Sequence, residues 1–378
     1  MKVICFADLH IGQKAYCKIE PESGLHQREI RAIKILNKIV NDAIKNQIDV
    51  VIFAGDMFKN NLPNPTLINK VNEAFLKLSN NKIYTLILDG NHDVSKLKAF
   101  SSGLHQFQSL QIPYITQTRF YQEELITIND ETYRFIFLPT HHSKDEIENL
   151  VSNIDDKYKT IIIGHLTIKN ANLNDWNVID NDDCIDKEIF KKKNILAVIL
   201  GHLHKHQILN YDPFIFYCGS ADRIDFSEEK QDKGYVYLEI SDKIDDVKFV
   251  SLKNTQKFLT ISLDCQDESN AETIENLIID KLSKRDLKNC IIRIKLKLSN
   301  EIKLNEKKII TYAYEEKQAQ YLLKIQYEFN NQINNNIVLS NALPTLEAVA
   351  TYYEGQTRAD ERIKICKDII ERVDCNVS

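Results

Sequence analysis

Apolar residues along the first half of the chain follow two periods. Ile30, Ile33, Leu36, Val40 and Ile44 are three or four apart, the stripe of an amphipathic helix over about 27–46. The runs DVVIFAGD, IYTLILDGN, TIIIGH and LAVILGH are instead apolar at nearly every position, as strands buried on both faces require. KVICFAD opens the chain in the same manner. A second helix is predicted over about 64–79, opened by PNPT, because proline suits a first helical turn. Residues 119–138 read as a β-hairpin. Strand and helix thus alternate through the first 205 residues. Beyond them, FIFYCGS, GYVYLEI and DVKFVSLK read as short antiparallel strands.

The pattern changes after residue 255. A strand (258–264), a helix (271–284) and a strand (290–298) form a smaller α+β module, and 301–320 fits no single period. NNQINNN, at 330–336, is polar and poor in helix or strand formers, so it reads as a linker. Two amphipathic helices are predicted beyond it, over about 343–354 and 358–373. Leu343, Leu346 and Val349 share one side of the first; Ile363, Cys366 and Val373 share one side of the second. Such faces dock on another protein or on their own domain. The expected divisions are 1–255, 256–330, a linker at 331–340 and a helical segment at 341–378.

Composition narrows the class. The chain has 378 residues, 43% of them hydrophobic and 27% charged, which fits a globular protein with a real core. No run approaches the ~18–20 apolar residues of a membrane span, so no membrane partner is expected. MKVICFADLH reads as a core strand, not a signal peptide, and a cytoplasmic location is expected. The eight cysteines are scattered and none forms CxxC, which suits free thiols in a reducing compartment. Net charge is −5, so any polyanion site must be local. Residues 280–310 supply one candidate, with ten Lys/Arg against four acids, a balance of +6. There, Arg293, Lys295 and Lys297 share one strand face, able to track a phosphate backbone. The ordinary alternative is a solvated sheet face.

The chemistry lies in glycine-led strand ends. The chain has only ten glycines, and four of them directly precede Asp56, Asn91, His165 and His202. The five motifs are Asp8-Leu9-His10, Gly55-Asp56, Gly90-Asn91-His92-Asp93, Gly164-His165 and Gly201-His202-Leu203-His204. Each follows an apolar strand, where open α/β sheets gather ligands. Glycine lets backbones crowd round one point. Four histidines, two aspartates and an asparagine carbonyl suit manganese, iron or zinc better than magnesium or calcium alone. They are too many for one tetrahedral zinc. A pair of ions ~3.5–4 Å apart would use them all and needs a bridging carboxylate, for which Asp56 is placed.

The series DxH…GDxF…GNHD…GH…GHxH resembles the signature of calcineurin-like metallophosphoesterases. It is similar in particular to the SbcD family, the nuclease subunit of the bacterial double-strand-break processing complex. ADLHIGQKAY with QREI, and YCGSADRIDFSEEKQDKGYVYLEI at 217–240, carry the same resemblance. It is specific over the first 240 residues and a matter of layout afterwards. The resemblance implies an α/β fold: a β-sandwich flanked by helices, with a small α+β cap and C-terminal helices. It implies one divalent ion held by Asp8, His10, Asp56 and His204, and a second held by Asp56, Asn91, His165 and His202, with manganese the expected metal. His92 would be the catalytic histidine at the leaving oxygen, and Asp93 would orient it. The implied function is a metal-dependent DNA nuclease, a 3′–5′ double-strand exonuclease and single-strand endonuclease that processes ends and hairpins. The implied partners are double- and single-stranded DNA, an SbcC-like SMC-type ATPase bound by 341–378, and a second copy met through 64–79 and 96–110. Two positions depart from the family pattern. Lys59 stands where relatives often have histidine, and Cys218 where proline or serine is common. The competing readings are a phosphoesterase for a small diester or phosphoprotein, and a scaffold without chemistry.

Overall fold

A computed structural model describes residues 1–95, 102–173, 176–177 and 184–329. The predicted linker at 331–340 and helices at 343–354 and 358–373 lie outside the described residues, as does the start of the 96–110 segment.

In chain order the elements begin with β1 (Lys2–Phe6), α1 (Gln27–Lys45), β2 (Val50–Ala54), α2 (Pro65–Asn80) and β3 (Tyr84–Leu88). Next come α3 (Gln106–Ser109), β4 (Ile115–Thr118), β5 (Gln122–Ile128), β6 (Glu131–Leu138), α4 (Lys144–Ser152) and β7 (Lys159–His165). A two-stranded ribbon, β8 (Asn172–Leu173) and β9 (Trp176–Asn177), precedes β10 (Ile195–Gly201), β11 (Gln207–Tyr211) and β12 (Phe214–Tyr217). Then follow β13 (Gly234–Ile240), β14 (Ile244–Ser251), β15 (Lys257–Asp264), α5 (Ala271–Ser283), β16 (Cys290–Leu298), α6 (Glu306–Thr311), β17 (Tyr321–Leu322) and β18 (Gln326–Phe329).

Two six-stranded sheets stack face to face. Their strand orders are β14-β13-β1-β2-β3-β4 and β11-β12-β10-β7-β6-β5. Each has four parallel strands, β1 to β4 in one and β12, β10, β7 and β6 in the other. The continuous apolar runs follow from this layering. Val3, Cys5, Ile52, Ala54, Ile161, Ile163, Ala197 and Ile199 face the gap between the sheets. Their neighbours Ile4, Phe6, Val51 and Phe53 face α1 and α2. On the far side, Ile162, Val198 and Leu200 pack against Ile147 and Val151 of α4. Successive strand residues point to opposite faces, so a strand between two apolar layers must be apolar throughout.

α2 starts as its sequence predicts: Pro65 opens the helix and the Asn64 side chain accepts from Thr66 N at 2.8 Å. The FIFY strand departs from its sequence reading on one side only. It is antiparallel to β11 but parallel to β10, which places it inside the sheet. α4 has no counterpart in the sequence reading.

Residues 257–329 build a third sheet in which β15, β17 and β18 all pair parallel with β16. Ile292, Ile294, Leu296 and Leu298 cover the same core as Ile274, Ile278 and Leu282 of α5. The undecided 301–320 stretch contains α6 and a following π-turn over Tyr312–Glu316. Among the described residues no helix is long and apolar enough to cross a membrane.

Candidate metal centre

The C-terminal ends of β1, β2, β3, β7 and β10 meet at one edge of the sandwich. Beyond β1 and β2 the two chains stay side by side: Asp8 N donates to Gly55 O at 2.9 Å and His10 N to Asp56 O at 3.1 Å. Asp8, His10, Asp56 and His202 have φ of 51°, 47°, 61° and 90°, in the left-handed region that side chains avoid. Such strain persists where the surroundings over-determine it, and it clusters at functional sites. A methyl group on Gly55, itself at φ 95°, would collide with the His165 ring, and one on Gly90 with the Asp56 carboxylate. Gly55→Ala is therefore expected to lower unfolding free energy by about 2–5 kcal/mol, left-handed strain plus overpacking. Urea unfolding checks this; a loss under ~1 kcal/mol would mean the strand end relaxes freely.

The seven expected ligand side chains converge. Asp8, His10 and His204 each bring a donor atom within 4.8 Å of the others, as do Asp8, Asp56 and His165. Asp56 Oδ2 lies 3.7 Å from His10 Nε2 and 3.4 Å from His165 Nε2, between the two groups. Asn91 Oδ1 faces His165 Nε2 at 3.0 Å and His202 Nδ1 at 3.2 Å. His10 Nε2 faces His204 Nε2 at 3.1 Å, and His10 Nδ1 is buried without a hydrogen-bond partner.

These contacts fit divalent cations. His165 Nδ1 donates to the Ala54 carbonyl at 2.8 Å, so a neutral His165 turns the Nε2 lone pair toward the Asn91 oxygen. Two acceptors then face each other, and a positive charge between them resolves the conflict. The electrostatics make the same demand. Burial pushes the Asp56 carboxyl up, but the charge and hydrogen bond of His165 hold it well below the usual carboxylate range. Burial opposes charge on His165, yet Asp56 raises its imidazole to about 9. A bound cation would take over that role and release the proton. Burial pushes Asp8 up to about 6 against the pull of His165 and His204. His202 is pushed down to about 4 by burial and by His165, and burial also lowers His10. Neutral imidazoles are the form that binds metal.

The groups behind the ligands were mostly invisible in the sequence. His204 Nδ1 donates to Glu228 Oε1 at 2.7 Å, and Lys233 Nζ lies 2.6 Å from Glu228 Oε2; both partners are buried. Burial raises the Glu228 carboxyl, but His204 and Lys233 bring it down to about 2. This carboxylate–histidine pair fixes the ring so that Nε2 faces the cluster. Glu228 and Lys233 lie in the YCGSADRIDFSEEKQDKG stretch, where no local pattern marks them out.

His92 borders the cluster, with one donor atom within 4.8 Å of those of His10 and Asp56. Its backbone N donates to Asp56 Oδ1 at 2.8 Å. Asp93 does not hold the His92 ring as its sequence position suggests. His92 Nδ1 is held by the Lys59 carbonyl at 3.0 Å. The Asp93 carboxylate instead accepts from Met57 N (3.1 Å), Phe58 N (2.8 Å) and Gly90 N (3.0 Å). Asp93 ties two ligand-bearing turns together, and a backbone atom orients His92. Cys218 is buried between the sheets.

Arg293, Lys295 and Lys297 alternate with buried apolar residues along β16. Arg293 lies 4.3 Å over the Phe226 ring and donates to Thr260 Oγ1 at 3.0 Å. Lys295 and Lys297 are half-exposed, each 3.9 Å from an acid, Glu328 and Asp264. Their partners are these residues, not the seven ligand positions.

The family model described as calcineurin-like phosphoesterase matches residues 1–206. The D subunit of the SbcCD nuclease from Staphylococcus saprophyticus, a curated protein, is 26% identical over 290 residues, 71% of this chain and 73% of that protein. A solved dimetal phosphatase from Danio rerio is 10% identical with a TM-score of 0.42, covering 64% of this chain and 92% of its own. TT1561 of Thermus thermophilus is 12% identical with a TM-score of 0.41, covering 66% of this chain and 98% of its own.

Proposed function

The chain belongs to the calcineurin-like phosphoesterases, and from that premise we propose that it is a metal-dependent DNA nuclease. The observation that carries the phosphoesterase chemistry is the convergence of four imidazoles, two carboxylates and the Asn91 oxygen beside His92. Support for DNA as the substrate comes from the nuclease relative, whose match extends over 290 residues, well beyond the 206 of the family model. The basic face of β16 adds to it.

Asp8, His10, Asp56 and His204 would hold one divalent ion, and Asp56, Asn91, His165 and His202 the other. When bound, such a pair activates a water and neutralises the non-bridging oxygens of the phosphate. The chain's own residues do the rest. Asp56 fixes the His92 backbone, and the Lys59 carbonyl fixes its ring. Nε2 is then the nitrogen free to hold a proton for the departing oxygen. The reacting groups meet phosphate and not base edges, so cleavage with little sequence preference is expected.

In this reading manganese is the working metal and residues 1–255 are the hydrolytic unit. Residues 256–330 are a DNA-binding cap, with Arg293 serving its structure and the half-exposed Lys295 and Lys297 placed to exchange their acidic partners for phosphate. An SbcC-like ATPase would bind through 341–378, and a second copy through α2 and its neighbourhood.

The test is manganese-dependent cleavage of linear duplex with free and blocked ends. The reading expects cleavage in both the presence and absence of the ATPase, stronger at free ends, and none after EDTA. Hydrolysis of a chromogenic diester with intact duplex would replace it by the small-substrate reading. Chelation has a second consequence. A ligand at 100 times its Kd stabilises the native state by ~2.7 kcal/mol per site. The melting temperature in excess manganese is therefore expected to exceed that in EDTA by several degrees, measured by calorimetry; equal values would contradict native-state binding.

A further inference from the structure

The segment after β12 lies between the candidate centre and the third sheet, and Arg223 bonds to the turn that carries Glu228 and to the entry of that sheet. Its Nε donates to the Glu228 carbonyl at 3.1 Å and Nη2 to the Gln231 carbonyl at 2.6 Å. Its Nη1 donates to Thr255 Oγ1 at 2.8 Å and to the Gln256 carbonyl at 3.2 Å, directly ahead of β15. Glu228 is the residue whose carboxylate fixes His204. One rigid guanidinium fork thus joins the support of an expected ligand to the entry of the third sheet.

The surroundings make this a closed joint. Buried Asp222 accepts from Gln256 N at 2.5 Å and from Arg223 N at 2.8 Å. Arg28, buried on α1, donates to the carbonyls of Arg223 and Ile224 at 2.8 and 2.9 Å. Arg31 donates to the side chains of Gln256 and Gln320. Glu229 Oε2 accepts from Thr260 N at 2.9 Å, and the rings of Phe226 and Phe258 meet edge to face at 4.8 Å. The 222–231 segment thus meets the third sheet on one side and, through Glu228, His204 on the other. A shift at the joint therefore pulls on Glu228 as well.

We propose that Arg223 is a positioning residue through which the docking of residues 257–329 sets the orientation of His204, and with it cation affinity on the Asp8–His10–His204 side. The inference rests on the reading that the centre binds divalent cations and is independent of the substrate. Coupling of this kind is reciprocal: if docking strengthens binding, binding must strengthen docking.

The test uses the full chain, with manganese as the probe. Isothermal titration of Arg223→Ala is expected to show one site weakened, by no more than the ~10–100-fold that losing the direct partner of a ligand costs, and the other unchanged. Hydrogen exchange supplies a readout that a purely structural role would not move. Manganese should slow exchange at the Gln256 and Thr260 amides in the native chain and fail to do so in Arg223→Ala. Thr255→Val keeps the links to Glu228 and Gln231 and removes only one to the third sheet, so it serves if the alanine variant does not fold. It is expected to weaken the same site several-fold and to lessen the exchange response. Two unchanged sites in the variants, or no exchange response in the native chain, would overturn the inference and leave the metal centre standing. If the native chain binds no manganese, the metal reading itself fails, and the inference with it.

Discussion

Replacing His92 by alanine is expected to lower the rate of phosphoester hydrolysis by about 10²–10⁴-fold, the range supplied by a positioned acid or base. Manganese binding should be nearly unchanged, because the four imidazoles and two carboxylates of the cluster remain. Steady-state kinetics and titration on one preparation check both halves. The contrast matters because His92 sits within reach of His10 and Asp56. If metal binding falls with activity, His92 is a ligand and not a proton carrier. If activity survives, the chemistry lies elsewhere. Asp93→Asn is expected to behave differently. It weakens acceptors for three buried backbone N–H groups, so it should destabilise the fold before it alters proton transfer.

Asp56→Asn is expected to abolish activity by removing both ions. Oδ2 of Asp56 is placed between His10 and His165, one from each ligand group. An asparagine can still accept from the His92 backbone, so the turn has reason to keep its shape. It carries no charge to offset two cations in a buried site. The loss in manganese affinity should exceed the ~10–100-fold that an outer partner costs, and stabilisation by manganese should disappear. Retention of one tight site would show that Asp56 serves a single ion. The native protein without metal should also respond. His165 owes its raised pKa to Asp56 against the effect of burial. In the asparagine variant that imidazole should titrate lower, which NMR can follow.

What was legible in the sequence follows from layering and from strand ends. A strand between two apolar layers shows as an unbroken apolar run, and the residue after it is placed at the sheet edge. Asp8, Asp56, Asn91, His165 and His202 could therefore be read as neighbours although they are far apart in the chain. α1 was legible because one of its faces is apolar over several turns, and α2 because PNPT sets a proline in its first turn. α4 was not, because nine residues offer only Ile147 and Val151 as buried positions. Its local signals were the Ser143–Glu146 capping box and the acids of its first turn. β12 is antiparallel to β11 as its sequence reads, but nothing local in FIFY announces the parallel strand β10 on its other side. The groups that orient the ligands were hardest. Lys59 and Ala54 act through carbonyls, which no residue type announces. Glu228 and Lys233 are ordinary charged residues until the fold buries them side by side.

The most direct measurement is a crystal structure of the protein soaked in manganese, with anomalous scattering to locate the ions. Two peaks are expected ~3.5–4 Å apart, the usual spacing of a metal pair sharing a carboxylate. One should lie among Asp8, His10 and His204, the other among Asn91, His165 and His202, with Asp56 between them. An absence of peaks there at saturating manganese, or ions bound only at other residues, would contradict it.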